Sequence, residues 1–213
     1  MRITGRFPLR ISIAGVCLLL VFLSACSEGP KSQQEKAARP SAPPVPVTGR
    51  FAFQRMFMQA KGWAVDAQPL RLSSIYLKQV PLEPGKCGAW QASFVSPQKR
   101  KAKSFTFSVI DLSGMREGVV AGREEDWTGT RGQEQVFNPQ ALHIDSDEAY
   151  RAAAKASADF IKKNPDVPVL FVLEQTPRFP NLAWHVLWGE TIGASHFSAF
   201  VDASTGLFLQ AFH

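Results

Sequence analysis

Ala183-Trp184-His185-Val186-Leu187-Trp188, followed by Ser198-Ala199-Phe200-Val201-Asp202-Ala203-Ser204-Thr205-Gly206, is the stretch that decides the fold. Successive side chains of a strand point to opposite faces, so Trp184, Val186 and Trp188 share one face and leave His185 and Leu187 on the other. The second run ends in Asp, Ser, Thr and Gly, which supply the side-chain hydrogen bonds and the positive φ of a tight turn. Residues 189–193 link the two runs as an antiparallel hairpin. An earlier stretch echoes this one: Ala89-Trp90-Gln91-Ala92-Ser93-Phe94, then Phe107-Ser108-Val109-Ile110-Asp111-Leu112-Ser113-Gly114. Matching Asp111 to Asp202 separates tryptophan from aspartate by 21 residues in the first copy and 18 in the second. The difference is assigned to the hairpin loop, where insertions are tolerated.

A helix is expected ahead of each copy. Phe53, Met56, Phe57 and Ala60 recur at helical spacing, with Gly62 as the stop. In the second copy Asp145 and Glu148 have capping-box spacing, with Ser146 as a competing cap. Ala149, Ala152, Ala153, Ala156 and Phe160 form the stripe of that helix, and Asn164-Pro165 ends it, since the residue before proline leaves the α region. Runs rich in β-branched and aromatic residues read as strands over 70–77, 104–110, 169–173 and 197–201, with short final strands over 119–121 and 207–212. The organisation expected is a first repeat at 48–121, a glycine-rich connector at 122–141 packed down by Trp127, and a second repeat at 142–213. This is an α+β architecture of two tandem units, each a helix on a small antiparallel sheet.

The amino terminus carries an address. Arg2, Arg6 and Arg10 precede an apolar run over residues 11–23, the layout of an export signal. The run is 13 residues, too short to cross a bilayer as a helix, which takes about 20. It closes on Leu23-Ser24-Ala25-Cys26. Residues 27–47 hold five prolines without apolar periodicity and read as a tether with a reach of about 60 Å. Removing the three leader arginines lowers the formal charge from +6 to +3, too mild an excess to argue for nucleic acid. Cys17 lies in the apolar run and Cys26 at its close, so Cys87 stands alone in the folded part, with no intramolecular disulfide expected. It is expected to be a small buried residue at a strand start.

Leu23-Ser24-Ala25-Cys26 resembles the lipobox of bacterial lipoproteins. That resemblance implies cleavage after residue 25 and acylation of Cys26, whose buried methylenes contribute about 0.8 kcal/mol each to anchoring. Ser27, rather than an aspartate, leans toward the outer membrane in a host that has one. The W-x-V of residues 184–186 and the Val201-Asp202-Ala203-Ser204-Thr205-Gly206 run resemble the PepSY family, and the first copy departs from its pattern by lacking the threonine. The resemblance implies non-catalytic roles: inhibitory or chaperone-like segments beside proteases, and envelope modules of unknown purpose.

No constellation makes a convincing active site. His185 and His196 lack a third metal ligand. Ser198 with His196 and Asp202 lacks a nucleophile elbow, and the loop opening at Asp145-Ser146-Asp147 lacks the later calcium ligands. Asp111 and Asp202 read as turn caps, and Trp90 and Trp184 as core. Neither a catalytic residue, a metal site nor a cofactor is expected. The residues left for a partner are Lys99, Arg100, Lys101 and Lys103 in the first hairpin, with Arg178 and Phe179 in a proline-bounded loop. The function expected is a lipid-anchored envelope module that binds a protein or peptide, protease regulation being one form of this. A small-ligand carrier with a groove between helix and sheet is the alternative, and an enzyme is the third class.

Overall fold

The computed structural model describes residues 43–130 and 134–212, and all of them fall in one compact unit. Cys26, the leader before it and most of the tether lie outside the described residues. A short strand β1 (Val47–Thr48) leads into α1 (Gly49–Trp63), followed by β2 (Gln68–Ile75), β3 (Lys86–Cys87), β4 (Ala89–Ser96), β5 (Lys101–Ser108) and β6 (Gly118–Asp126). The second half holds α2 (Ser146–Ala156), α3 (Ala158–Lys163), β7 (Val169–Glu174), β8 (Ala183–Trp188), β9 (Phe197–Asp202) and β10 (Phe208–Phe212). Among the described residues, no helix is long and apolar enough to cross a membrane.

The class is α+β with an antiparallel sheet, as expected, but the two small sheets are one. Eight strands run in the order β10-β9-β8-β7-β2-β4-β5-β6, and the halves join where β2 pairs with β7 at Arg71↔Glu174, Leu72↔Leu173 and Ser73↔Val172. The physical reason lies in burial: each half would otherwise expose an edge strand of apolar residues, a liability that pairing removes. Leu72, Leu173 and Val172 at this seam are fully buried.

Strand register corrects the repeat alignment. Trp90 faces Phe107 across β4 and β5, and Trp184 faces Val201 across β8 and β9. The residue facing Ala89 is Ser108, and that facing Ala183 is Asp202, so Ser108 and not Asp111 takes the aspartate's place, with the same spacing from tryptophan in both halves. The chemistry agrees. Ser108 Oγ accepts from Ile110 N–H, as Asp202 Oδ1 accepts from Ser204 N–H. Asp111 instead accepts from Glu117 N–H and closes the next turn.

Three further boundaries move. The expected connector is partly strand, because β6 runs on to Asp126 and pairs its acids with the lysines of β5. The second helix breaks at the buried Ser157, whose hydroxyl donates to Ala153 O and competes with the helical ladder. The first passes Gly62 and ends at Trp63.

Helices cover one sheet face. Ala52, Phe53, Met56 and Ala60 of α1 bury against Phe94 and Phe105, while Ala149 and Ala153 of α2 bury against the β8–β9 side. Asp145 caps α2 with the expected box to Glu148. Thr48 gives α1 no side-chain cap. Its first amides donate across the fold instead, Gly49 N–H to Ser146 Oγ at 2.8 Å and Arg50 N–H to Asp145 Oδ1 at 2.9 Å. Beneath this junction Trp90 and Trp184, both fully buried, meet edge to face at 6.3 Å.

Gly49 sits directly over that pair. A Cβ there would lie 2.6 Å from Trp184 and 3.1 Å from Trp90. Gly49→Ala is expected to lower stability by about 1–3 kcal/mol through overpacking. Gly62→Ala, where a Cβ meets nothing within 4 Å, should raise it by about 0.5–1 kcal/mol. Guanidinium unfolding followed by tryptophan fluorescence checks both, and a Gly49→Ala midpoint at or above that of the parent protein contradicts the packing argument.

Candidate binding cleft

Residues 76–88, between β2 and β4, fold back over the end of the sheet. Leu77 and Val80 pack on Ala89, and Gly88 leaves room for the Val80 side chain. Gly85, at φ +75°, lies so close to the backbone of Asp147 that any side chain would collide, and its carbonyl accepts from Ser146 Oγ at 2.6 Å. The loop is thereby pinned to the first turn of α2.

Between this loop and the helices lies a cleft enclosing about 180 Å³. Tyr76, Pro81, Leu82 and Pro84 form one wall, and Tyr150, Ile161, Pro165 and Val167 the other. Trp188, Val169 and Cys87 line its depth, and Tyr150 leans over Trp188 at 6.4 Å between ring centres. At the rim Lys86 Nζ lies 2.8 Å from Glu83, an ion pair that raises the lysine pKa. Leu82 is 56% exposed although apolar. Cys87 is buried as expected, and desolvation pushes its thiol up to about 12. A protonated thiol is no nucleophile at neutral pH. The cleft offers shape, apolar surface and two tyrosine rings rather than chemistry.

The sequence-selected contact residues sit elsewhere and are engaged within the fold. Lys101 Nζ lies 2.6 Å from Asp126, and Lys103 Nζ lies 3.5 Å from Glu124. Lys99 stands 5.3 Å over the Trp63 ring and donates to the Trp63 carbonyl. Arg100 occupies the hairpin tip at φ 54°. Arg178 stacks over Phe212 at 4.4 Å and donates to Gln210, while Phe179 stacks on Phe200 at 4.4 Å. The acids that answer the basic hairpin belong to β6, which the sequence reading ended at residue 121.

Asp202 is a turn cap, as expected. Burial alone would raise its pKa, but donations from Thr205 and Ser204 outweigh that and hold it below the usual carboxylate value. His185 and His196 do not meet. His185 faces Phe200 within β8 and β9, whereas His196 lies in the loop beyond the last pair, Trp188↔Phe197. Among the described residues no three His, Cys, Asp or Glu side chains cluster as metal ligands.

His185 stacks on Phe200 at 4.0 Å with its Nε2 buried and without a hydrogen-bond partner. Burial holds its pKa down at about 4, with the charge of Arg71 adding to the effect. Between about pH 6.5 and 4 the unfolded imidazole binds a proton that the native one refuses, so stability falls as pH falls through that window. His185→Leu should remove this contribution. Guanidinium midpoints at neutral pH and near pH 4.5 measure it: the parent protein should lose more stability than the variant, and equal losses contradict the assignment.

No family model matches this chain, and no curated relative matches it. Among solved structures it is similar to one described as "a putative lipoprotein" from Clostridium difficile 630. The two share 10% sequence identity over 81% of this chain and 95% of that one, at a TM-score of 0.43.

Proposed function

We propose that this chain is a lipid-anchored, non-catalytic binding module of the bacterial envelope, facing away from the cytoplasm, whose cleft grips an apolar side chain of a partner protein or peptide. The observation that carries the reading is the size and lining of the cleft. Its 180 Å³ is close to the roughly 150 Å³ that holds a benzene ring. Small-molecule pockets run from about 300 to 1,000 Å³. One aromatic or branched side chain fills such a space, whereas a carried ligand would stay mostly in water. Proline and tyrosine walls lose little conformational freedom on binding, which favours a protein anchor residue.

The anchor reading rests on Leu23-Ser24-Ala25-Cys26 after its charged and apolar leader, and Ser27 favours the outer membrane. The tandem PepSY-like reading draws support from the sequence echo and from the equivalent registers of Trp90 and Trp184. Within it, regulation of a protease is one form of the partner interaction.

Two outcomes follow. Mass spectrometry of the purified protein should find acylated Cys26 as the mature amino terminus, and Cys26→Ser should release the protein from membranes; retained attachment defeats the anchor. A photoreactive residue at Leu82 should crosslink to a protein in intact cells, and one at the exposed Met58 on α1 should not. Adducts of lipid or small-molecule mass at Leu82, or equal crosslinking at both positions, overturn the cleft reading.

A further inference from the structure

The edge strand β6 has two unlike parts. Its register with β5 slips between Lys103 and Phe105, so Gly122 and Arg123 bulge and divide the strand. Beyond the bulge, Arg123, Glu124, Glu125 and Asp126 carry charge, the usual guard against edge pairing. Before it, residues 118–122 read Gly-Val-Val-Ala-Gly and carry none. Among the described residues this part pairs with β5 alone, so every second residue turns its N–H and C=O to the open side.

Grooves flank the unguarded part on both faces of the sheet. On the face away from the helices, a groove passes Gln91, Leu112 and Met115 and reaches Val120, which is 41% exposed. On the helix face, another is lined by Val45, Phe51 and Phe107 and reaches Gly118. Phe51 is also 41% exposed and meets Phe107 edge to face at 5.9 Å. A strand places alternate side chains on opposite faces. An added strand would therefore direct successive residues to the two grooves in turn.

We propose that residues 118–122 are a strand-addition site for an extended peptide segment of a partner protein with apolar residues in alternation. Main-chain bonds to the edge supply the affinity and the two grooves supply selectivity. The bulge limits the regular edge to these few residues, which suits a short peptide better than a second copy of this nine-residue strand. The site lies apart from the cleft at residues 76–88, so its failure leaves the cleft reading standing.

The test uses the full acylated protein in detergent micelles and an octapeptide alternating valine and threonine between terminal lysines. Hydrogen exchange read by mass spectrometry should show slowed exchange within residues 118–122 on adding the peptide. The same peptide N-methylated at every residue should protect nothing, because it lacks main-chain donors. Val120→Lys, at an exposed position, should keep the fold and weaken the peptide by about tenfold or more. No protection at about 1 mM peptide overturns the proposal. So does protection falling on Phe208–Phe212 of the opposite edge or on residues 76–88, or full activity of the N-methylated peptide. Protection of residues 118–122 that rises with protein concentration alone would assign the edge to a second copy and overturn the peptide as occupant.

Discussion

The absence of a side chain at Gly49 sets how the two halves meet. The amino terminus of α1 rests where a Cβ would strike both indoles, and the same residue's N–H is held by Ser146 at the start of α2. Two helix amino termini converge there, each with a partial positive charge of about half an electron. The first turn of α1 carries no acid. Asp145 answers for both helices, accepting from Ser146 N–H on its own helix and Arg50 N–H on the other, with Arg50 drawn toward it and Glu148. Packing, capping and charge thus act at one point, while the sheet beneath is continuous through the pairing of β2 with β7.

What could be read from the sequence was local. The strand Ala183–Trp188, the turn built on Asp202 and the Asp145–Glu148 box all depend on residues a few positions apart, and each stands as expected. The register of the first half did not yield, because Ser108 performs an aspartate's turn-capping with a hydroxyl and Asp111 drew the alignment three residues along. The joining of the sheets rests on Leu72↔Leu173, a contact across a hundred residues with no local signature. Phe137 was missed for the same reason: it lies in a polar stretch yet is buried against Phe53.

The candidate site shows the limit more sharply. Lys101 and Lys103 looked unclaimed because their acids lie across a strand pair rather than beside them in sequence, and Lys99 because its partner Trp63 lies on α1. Charge that seems surplus in one hairpin is answered when the next strand is longer than its apolar run suggests. The cleft was illegible in the opposite sense. Pro81, Leu82 and Pro84 belong to a loop longer than its counterpart between β7 and β8, and Gly85, held against Asp147 and Ser146, brings them beside α2 and α3. An exposed leucine in a proline-rich loop is ordinary in sequence. It gains meaning only beside Tyr150 and Trp188.

The cleft is also joined to the chain's path toward Cys26. Val47 pairs with Cys87 and Thr48 with Lys86, so β1 is hydrogen-bonded to the strand that lines the cleft. Trp90 Nε1–H donates to the Val47 carbonyl at 3.1 Å, which ties the same point to the central tryptophan pair. A pull along the chain from its amino-terminal side is therefore borne by β3 and Trp90 before it reaches α1. Two residues of pairing are weak alone, since the bonds of a short ladder break in sequence and each nets only about 1 kcal/mol. Anchored on a fully buried indole, they resist together. Gly85, next to β3, accepts from Ser146 Oγ at the start of α2, so the same short route connects β1 to the α1–α2 junction.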